Sequence, residues 1–119
     1  MKKTNEWIFK KIIGKDELIT MKAIGSAILG EEVLERVKII LTDRNIYFVK
    51  HKGGFRKEVI RINLFSLKRV WNERLEVVLQ MEDYEEYRLF VPNHKRWLFQ
   101  FDLFFHTYIH LQKQSGLIY

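Results

Sequence analysis

The stretch Lys50-His51-Lys52-Gly53-Gly54-Phe55-Arg56-Lys57 gathers five basic side chains around two glycines and one aromatic ring. Cations on a flexible turn can reach phosphate or carboxylate oxygens, and a phenyl ring among them can enter lipid or stack on a base. The same composition describes an ordinary solvated hairpin tip, and two glycines outside any phosphate-loop spacing do not define a nucleotide site. A second candidate is the N-terminal segment, where Trp7, Ile8, Phe9, Ile12 and Ile13 interleave with Lys2, Lys3, Lys10, Lys11 and Lys15. A basic amphipathic helix with Trp7, Phe9, Lys10 and Lys11 as its contact residues suits an anionic membrane or a partner. One this short is marginal alone and gains stability by docking on its own domain. A wider basic set, Lys50, Lys52, Arg56, Lys57, Lys68, Arg69 and Arg74, with Trp71 or Phe55 as a stacking surface, would serve nucleic acid.

Signals for catalysis and for metals are weak. His106 and His110 stand four apart on a predicted helix, a spacing that can bring two imidazoles to one metal, but no clear third ligand is nearby. The absence of cysteine removes disulfides, thiolate nucleophiles and sulfur metal sites together, and fits a reducing cytoplasm. Ser26, Ser66 and Ser115 occupy no nucleophile motif. The carboxylates between Glu82 and Glu86 fall in a predicted turn, where solvent keeps them ordinary, whereas acid-base chemistry needs perturbed groups in a cleft. No cofactor, metal or catalytic residue is expected, and an enzyme reading would need a deep polar pocket.

The elements that position these residues follow from hydrophobic period. Asn5 to Ile13 has helical spacing and Gly14 as a stop. Glu17 to Ile24 fits helix or strand, and its β-branched content, with Gly25-Ser26 as a break, selects a strand. Val33 to Leu41 alternates Val37, Ile39 and Leu41 against Arg36, Lys38 and Ile40, the pattern of a half-buried strand. Thr42-Asp43-Arg44-Asn45 turns the chain into a strand over Asn45 to Lys50. Val59 to Asn63, Leu67 to Trp71, Leu75 to Met81 and Tyr87 to Val91 complete seven strands. Pro92 removes a backbone donor and Asn93 can cap a helix from His94 to about Gln112, whose stripe of Trp97, Phe101, Phe104, Phe105, Tyr108 and Leu111 belongs in the core.

Length bounds the chain to a single domain with one core, 1–119. No apolar run reaches the roughly 20 residues of a membrane span, and lysines interrupt the N-terminal apolar residues, so no signal-peptide core forms. Twenty-one basic against fifteen acidic residues give a net charge of +6, which favours nucleic acid, acidic lipid or an acidic protein face as partner.

A short helix, seven antiparallel strands and a closing amphipathic helix form the order of the pleckstrin-homology-like (PH-like) barrel. Asp16-Glu17-Leu18-Ile19, then Leu41-Thr42-Asp43-Arg44-Asn45-Ile46-Tyr47-Phe48, then Ile60-Arg61-Ile62-Asn63-Leu64 before Leu67 and Val70, resemble the bacterial PH-like and GRAM-like domains over about Lys15 to Gln112. Asp43 before Arg44 and Asn45 before Ile46 depart from the family pattern at the turn. The resemblance implies a non-catalytic, cytoplasmic binding module, with peripheral membrane contact as an extension. Its ligand would be a protein partner or an anionic lipid surface; nucleic acid is the alternative, and exposed sheet edges would permit homo-oligomers. Phosphoinositide-binding relatives carry basic residues in the loop between the first two strands. Here that loop, Gly25 to Glu32, has two glutamates and no lysine or arginine, which disfavours inositol phosphate and shifts attention to Lys50 to Lys57.

Overall fold

A computed structural model describes residue 13 and residues 16–114, with helical side chains through residue 107. The helix expected over Asn5 to Ile13 lies outside these residues except for Ile13 itself. The strands are β1 (Ile19–Leu29), β2 (Glu32–Thr42), β3 (Asn45–His51), β4 (Lys57–Asn63), β5 (Leu67–Glu73), β6 (Glu76–Met81) and β7 (Glu86–Phe90). They form one antiparallel sheet in the order β4-β3-β2-β1-β7-β6-β5, followed by helix α1 (His94–Gln114). A mainly β, PH-like architecture is therefore present.

Alternation sets the inner face. Ile39 of β2 lies opposite Phe48 of β3, and Phe48 lies opposite Ile60 of β4. Leu41, Ile46 and Ile62 follow the same inward pattern and join the buried cluster with Val77 and Leu79 of β6 and Leu89 of β7. Trp97 and Phe101 of α1 close this core and are almost wholly buried, while Phe104 and Phe105 pack half-buried at its margin. The helix packs chiefly on β5 and β6. Its first turn is held by the carbonyl of Asn93, which accepts from the backbone N–H of Arg96 at 2.9 Å and of Trp97 at 3.3 Å.

Two departures from the sequence pattern are informative. Gly25-Ser26 does not end β1. The strand continues to Leu29 through a register shift between Gly25 and Ala27, and from Ser26 onward it also pairs with β7. Glycine is needed at that crossing because a Cβ on Gly25 would collide with the carbonyl oxygen of Phe90. The β1–β2 connection consequently shrinks from the expected Gly25 to Glu32 to the tight turn Gly30-Glu31, with Gly30 in the left-handed region at φ 65°.

The second departure is Ile40, whose outward position in β2 predicts exposure. It is fully buried, in a small outer cluster with Tyr47, Val49 and Ile13 that Val59 flanks. Apolar residues on both faces thus leave only part of this sheet to solvent, and the single-faced alternation rule fails there.

Candidate functional site

At the β2–β3 turn the acidic residue that precedes β1 finds its purpose. Glu17 receives the Thr42 hydroxyl on Oε2 at 2.7 Å, and on Oε1 the Tyr47 hydroxyl at 2.8 Å and the Asn45 amide at 3.1 Å. A carboxylate is acceptor-only, so three converging donors suit it, although the Thr42 hydroxyl also has the Asn45 carbonyl within reach at 3.1 Å. Thr42 Oγ1 also accepts from the backbone N–H of Asn45 at 2.9 Å and of Arg44 at 3.1 Å, which fixes the two-residue turn Asp43-Arg44. Asp43 ties back to Leu18 twice: its N–H donates to the Leu18 carbonyl at 3.0 Å, and its Oδ1 accepts from the Leu18 N–H at 3.1 Å. The cluster locks the chain entering β1 onto the hairpin, so the spacing of acidic start and Leu-Thr-x-x-x-Ile-Tyr element is structural.

Burial, helped by the Glu17 carboxylate, pushes the Tyr47 phenol from 10 up to about 12; burial and Glu85 do the same for Tyr87. Tyr84 shifts the other way, because the Lys68 ammonium donates to its hydroxyl at 3.0 Å and lies 4.0 Å from its ring centre. A raised phenol pKa means the folded state prefers the neutral form. The associated stability is complete below pH 10 and is lost as pH rises towards about 12. Ultraviolet titration should therefore show Tyr84 ionising ahead of Tyr47 and Tyr87, and Tyr47→Phe should delete a late phenolate step; deletion of an early step would contradict this assignment.

The opposite end of β3 carries the basic hairpin. The β3–β4 turn is closed by Lys52 N–H donating to the Arg56 carbonyl at 3.0 Å and Arg56 N–H to the Gly53 carbonyl at 3.1 Å. Gly53 and Gly54 both sit at positive φ, 97° and 57°, conformations that the glycine pair supplies without strain. This ordered turn holds Phe55 with 89% of its surface exposed. His51, Lys52 and Arg56 are exposed beside it, while Lys50 and Lys57 are half-buried at the strand ends. Lys52 pairs with Glu58, which raises the lysine and lowers the carboxyl from their ordinary values.

Two acidic turns share this end. Glu85 lies beside Gly30, since a Cβ there would meet Glu85 Oε1 at 3.3 Å, and the charge of Glu32 is felt at Lys52. The space between the β1–β2 and β6–β7 turns is bordered by the acidic residues of both, Glu31, Glu32, Glu82, Asp83 and Glu85, while Arg61 lines a cavity with Glu82 and Asp83 and Lys68 reaches Tyr84. A polyanion seeking that space would meet carboxylates.

The other basic residues do not join the tip. Lys68 of β5 rests on Tyr84 of the β6–β7 turn, and the guanidinium of Arg69, also on β5, lies 5.2 Å from the Trp71 ring. Arg88 is held by Glu73 and Glu76, each at 2.6 Å, and its ordinary value is raised further by them. Trp7, Phe9, Lys10 and Lys11 lie outside the described residues, as does the side chain of His110. Among the described residues no group of three metal-ligating side chains occurs, and no helix is long and apolar enough to cross a membrane.

No family model matches the chain, and no curated protein matches it. Solved structures do. A chain of Vav1, in a structure of Vav1 inhibited by an allosteric inhibitor, aligns with a TM-score of 0.58 and 17% identity over 72% of this chain and 26% of that one. The C-terminal domain of an unknown protein from Leishmania infantum aligns with a TM-score of 0.54 and 11% identity over 95% of both chains. This chain spans about a quarter of the Vav1 chain that it matches. Vav1 contains a PH domain, and the likeness together with the strand order defines a PH-like fold.

Proposed function

We propose that this chain is a non-catalytic PH-like interaction module that meets an anionic surface, in the first place a negatively charged membrane, through the tip of its β3–β4 hairpin. The observation that carries this reading is Phe55, 89% exposed at the end of an ordered turn and flanked by Lys52 and Arg56. An exposed ring among cations suits the boundary between acyl chains and anionic headgroups, where the ring gains apolar contact and the cations keep their water. The carboxylates around the neighbouring turns favour this shallow contact over a headgroup held in a pocket. Each cation near such a surface contributes on the order of 1 kcal/mol and is screened by salt.

Co-sedimentation with phosphatidylcholine vesicles, with and without phosphatidylserine, tests it. The protein should pellet with the anionic vesicles at low salt and be released as salt rises. Equal recovery in both supernatants would end the membrane reading. The nucleic-acid alternative has less support, because Lys68 and Arg69 are engaged with the rings of Tyr84 and Trp71.

A further inference from the structure

Among the described residues the first half of β1 has one strand neighbour. β2 pairs along Ile19–Gly25, whereas β7 pairs only from Ser26 onward, so among the described residues no strand lies on the other side of Ile19–Gly25. Helix α1, seated on β5 and β6, runs beside that edge and leaves a groove between them. Two cavities occupy it, about 320 Å³ and 460 Å³, and both are lined by Thr20 and Gln100. Thr20 is the residue at which the β1–β2 register shifts, and such a bulge re-aims a side chain out of the regular ladder. The smaller cavity is walled by Leu41, Leu64, Phe65, Leu103 and Phe104, with Asp43 as its one charged lining residue; the larger has Met21 and Phe99 beside Lys95 and Arg96.

Several wall residues are large, apolar and exposed: Phe99 at 63%, Leu103 at 50% and Phe65 at 43%. Lys95, Phe99 and Leu103 follow one another at four-residue steps, so they share a helical face, distinct from the core face of Trp97 and Phe101. The polar end of the groove is cationic. The first turn of α1 contains His94, Lys95 and Arg96 and no acidic residue, at the end of the helix where the backbone itself favours negative charge.

We propose that this groove binds an extended peptide segment of a partner protein, which adds to the β1 edge as a strand. Its apolar side chains fill the cavity at Leu64, Phe65 and Leu103, and an acidic residue meets Lys95 and Arg96. An open strand edge supplies main-chain hydrogen bonds, pockets for alternate side chains supply selectivity, and the cations fix polarity and charge. Cavities of this size match those that hold ligands. The groove lies at the β2–β3 end of the sheet. The seven residues of β3 separate that end from the Phe55 tip by about 20 Å, so peptide and anionic surface could be engaged together.

The test is selection of random displayed dodecapeptides on the full chain, followed by affinity measurement with the enriched synthetic peptides on wild type, Leu103→Asp and the double variant Lys95→Glu/Arg96→Glu. These positions are on the surface, and unchanged melting of each variant confirms folding. Sequences that alternate apolar residues and include an acidic one should be enriched, with affinity falling about tenfold or more on Leu103→Asp and on the charge reversal. Absence of enrichment, or binding indifferent to both variants, overturns the proposal. Sedimentation of the unliganded chain adds a further outcome. A dimer abolished by Leu103→Asp would give the groove to a second copy, and monomers whose groove opens to peptide only after removal of residues 1–12 would give it to the chain's own segment. Either overturns the partner assignment, and neither touches the vesicle result.

Discussion

Trp97→Ala is expected to lower the unfolding free energy by about 3 to 5 kcal/mol, the range for truncating a large buried aromatic. Trp97 is 1% exposed and Phe101 is wholly buried, and together they join α1 to the core beneath the sheet. Removing the indole takes away its transfer free energy and leaves a cavity that the surrounding strands, fixed by their ladders, refill only in part. Phe99→Ala on the same helix provides the control, since Phe99 is 63% exposed and surface changes usually stay within about 0.5 kcal/mol. Urea denaturation followed by far-ultraviolet circular dichroism measures both. Comparable losses would show that the helix is not seated as described.

Glu17→Ala is expected to cost about 2 to 3 kcal/mol, because Thr42, Asn45 and Tyr47 lose their common acceptor at once. Thr42 is 2% and Tyr47 1% exposed, so solvent does not fully replace the carboxylate. Glu17→Gln should recover little, since its amide turns a donor towards donors. The same denaturation assay decides the matter, and a double-mutant cycle with Tyr47→Phe should show coupling between the two sites. Additive losses would mean that the short distances carry no shared energy.

The architecture was legible where one face of a strand is apolar and the next residue polar. Val37, Ile39 and Leu41 announced β2, and Trp97 and Phe101 announced the core face of α1. The Gly25-Ser26 signal misled because glycine serves close packing against the Phe90 carbonyl there, and a sequence does not distinguish that use from a turn. Ile40 misled because the outer face of the sheet is itself covered, in part by Ile13, a contact 27 residues away in the chain. Glu17 lay in plain view as part of a spacing pattern, yet its three donors come together only once β2 and β3 pair. The basic tip was legible as composition, and the structure adds its order and the exposure of Phe55. The groove was hidden because Phe99 and Leu103 lie off the dominant stripe of α1, and because the lack, among the described residues, of a second strand neighbour for Ile19–Gly25 is a property of topology.

The proposed function rests on contact of the β3–β4 tip, and of Phe55 in particular, with an anionic membrane surface. Its most direct measurement is vesicle binding by Phe55→Ser, which leaves every charge in place. With phosphatidylserine-containing vesicles the variant should bind about tenfold to a hundredfold more weakly than wild type, given the 1.5 to 3 kcal/mol, roughly, that a buried phenyl ring contributes, while its melting curve stays unchanged. Binding equal to wild type would contradict the claim.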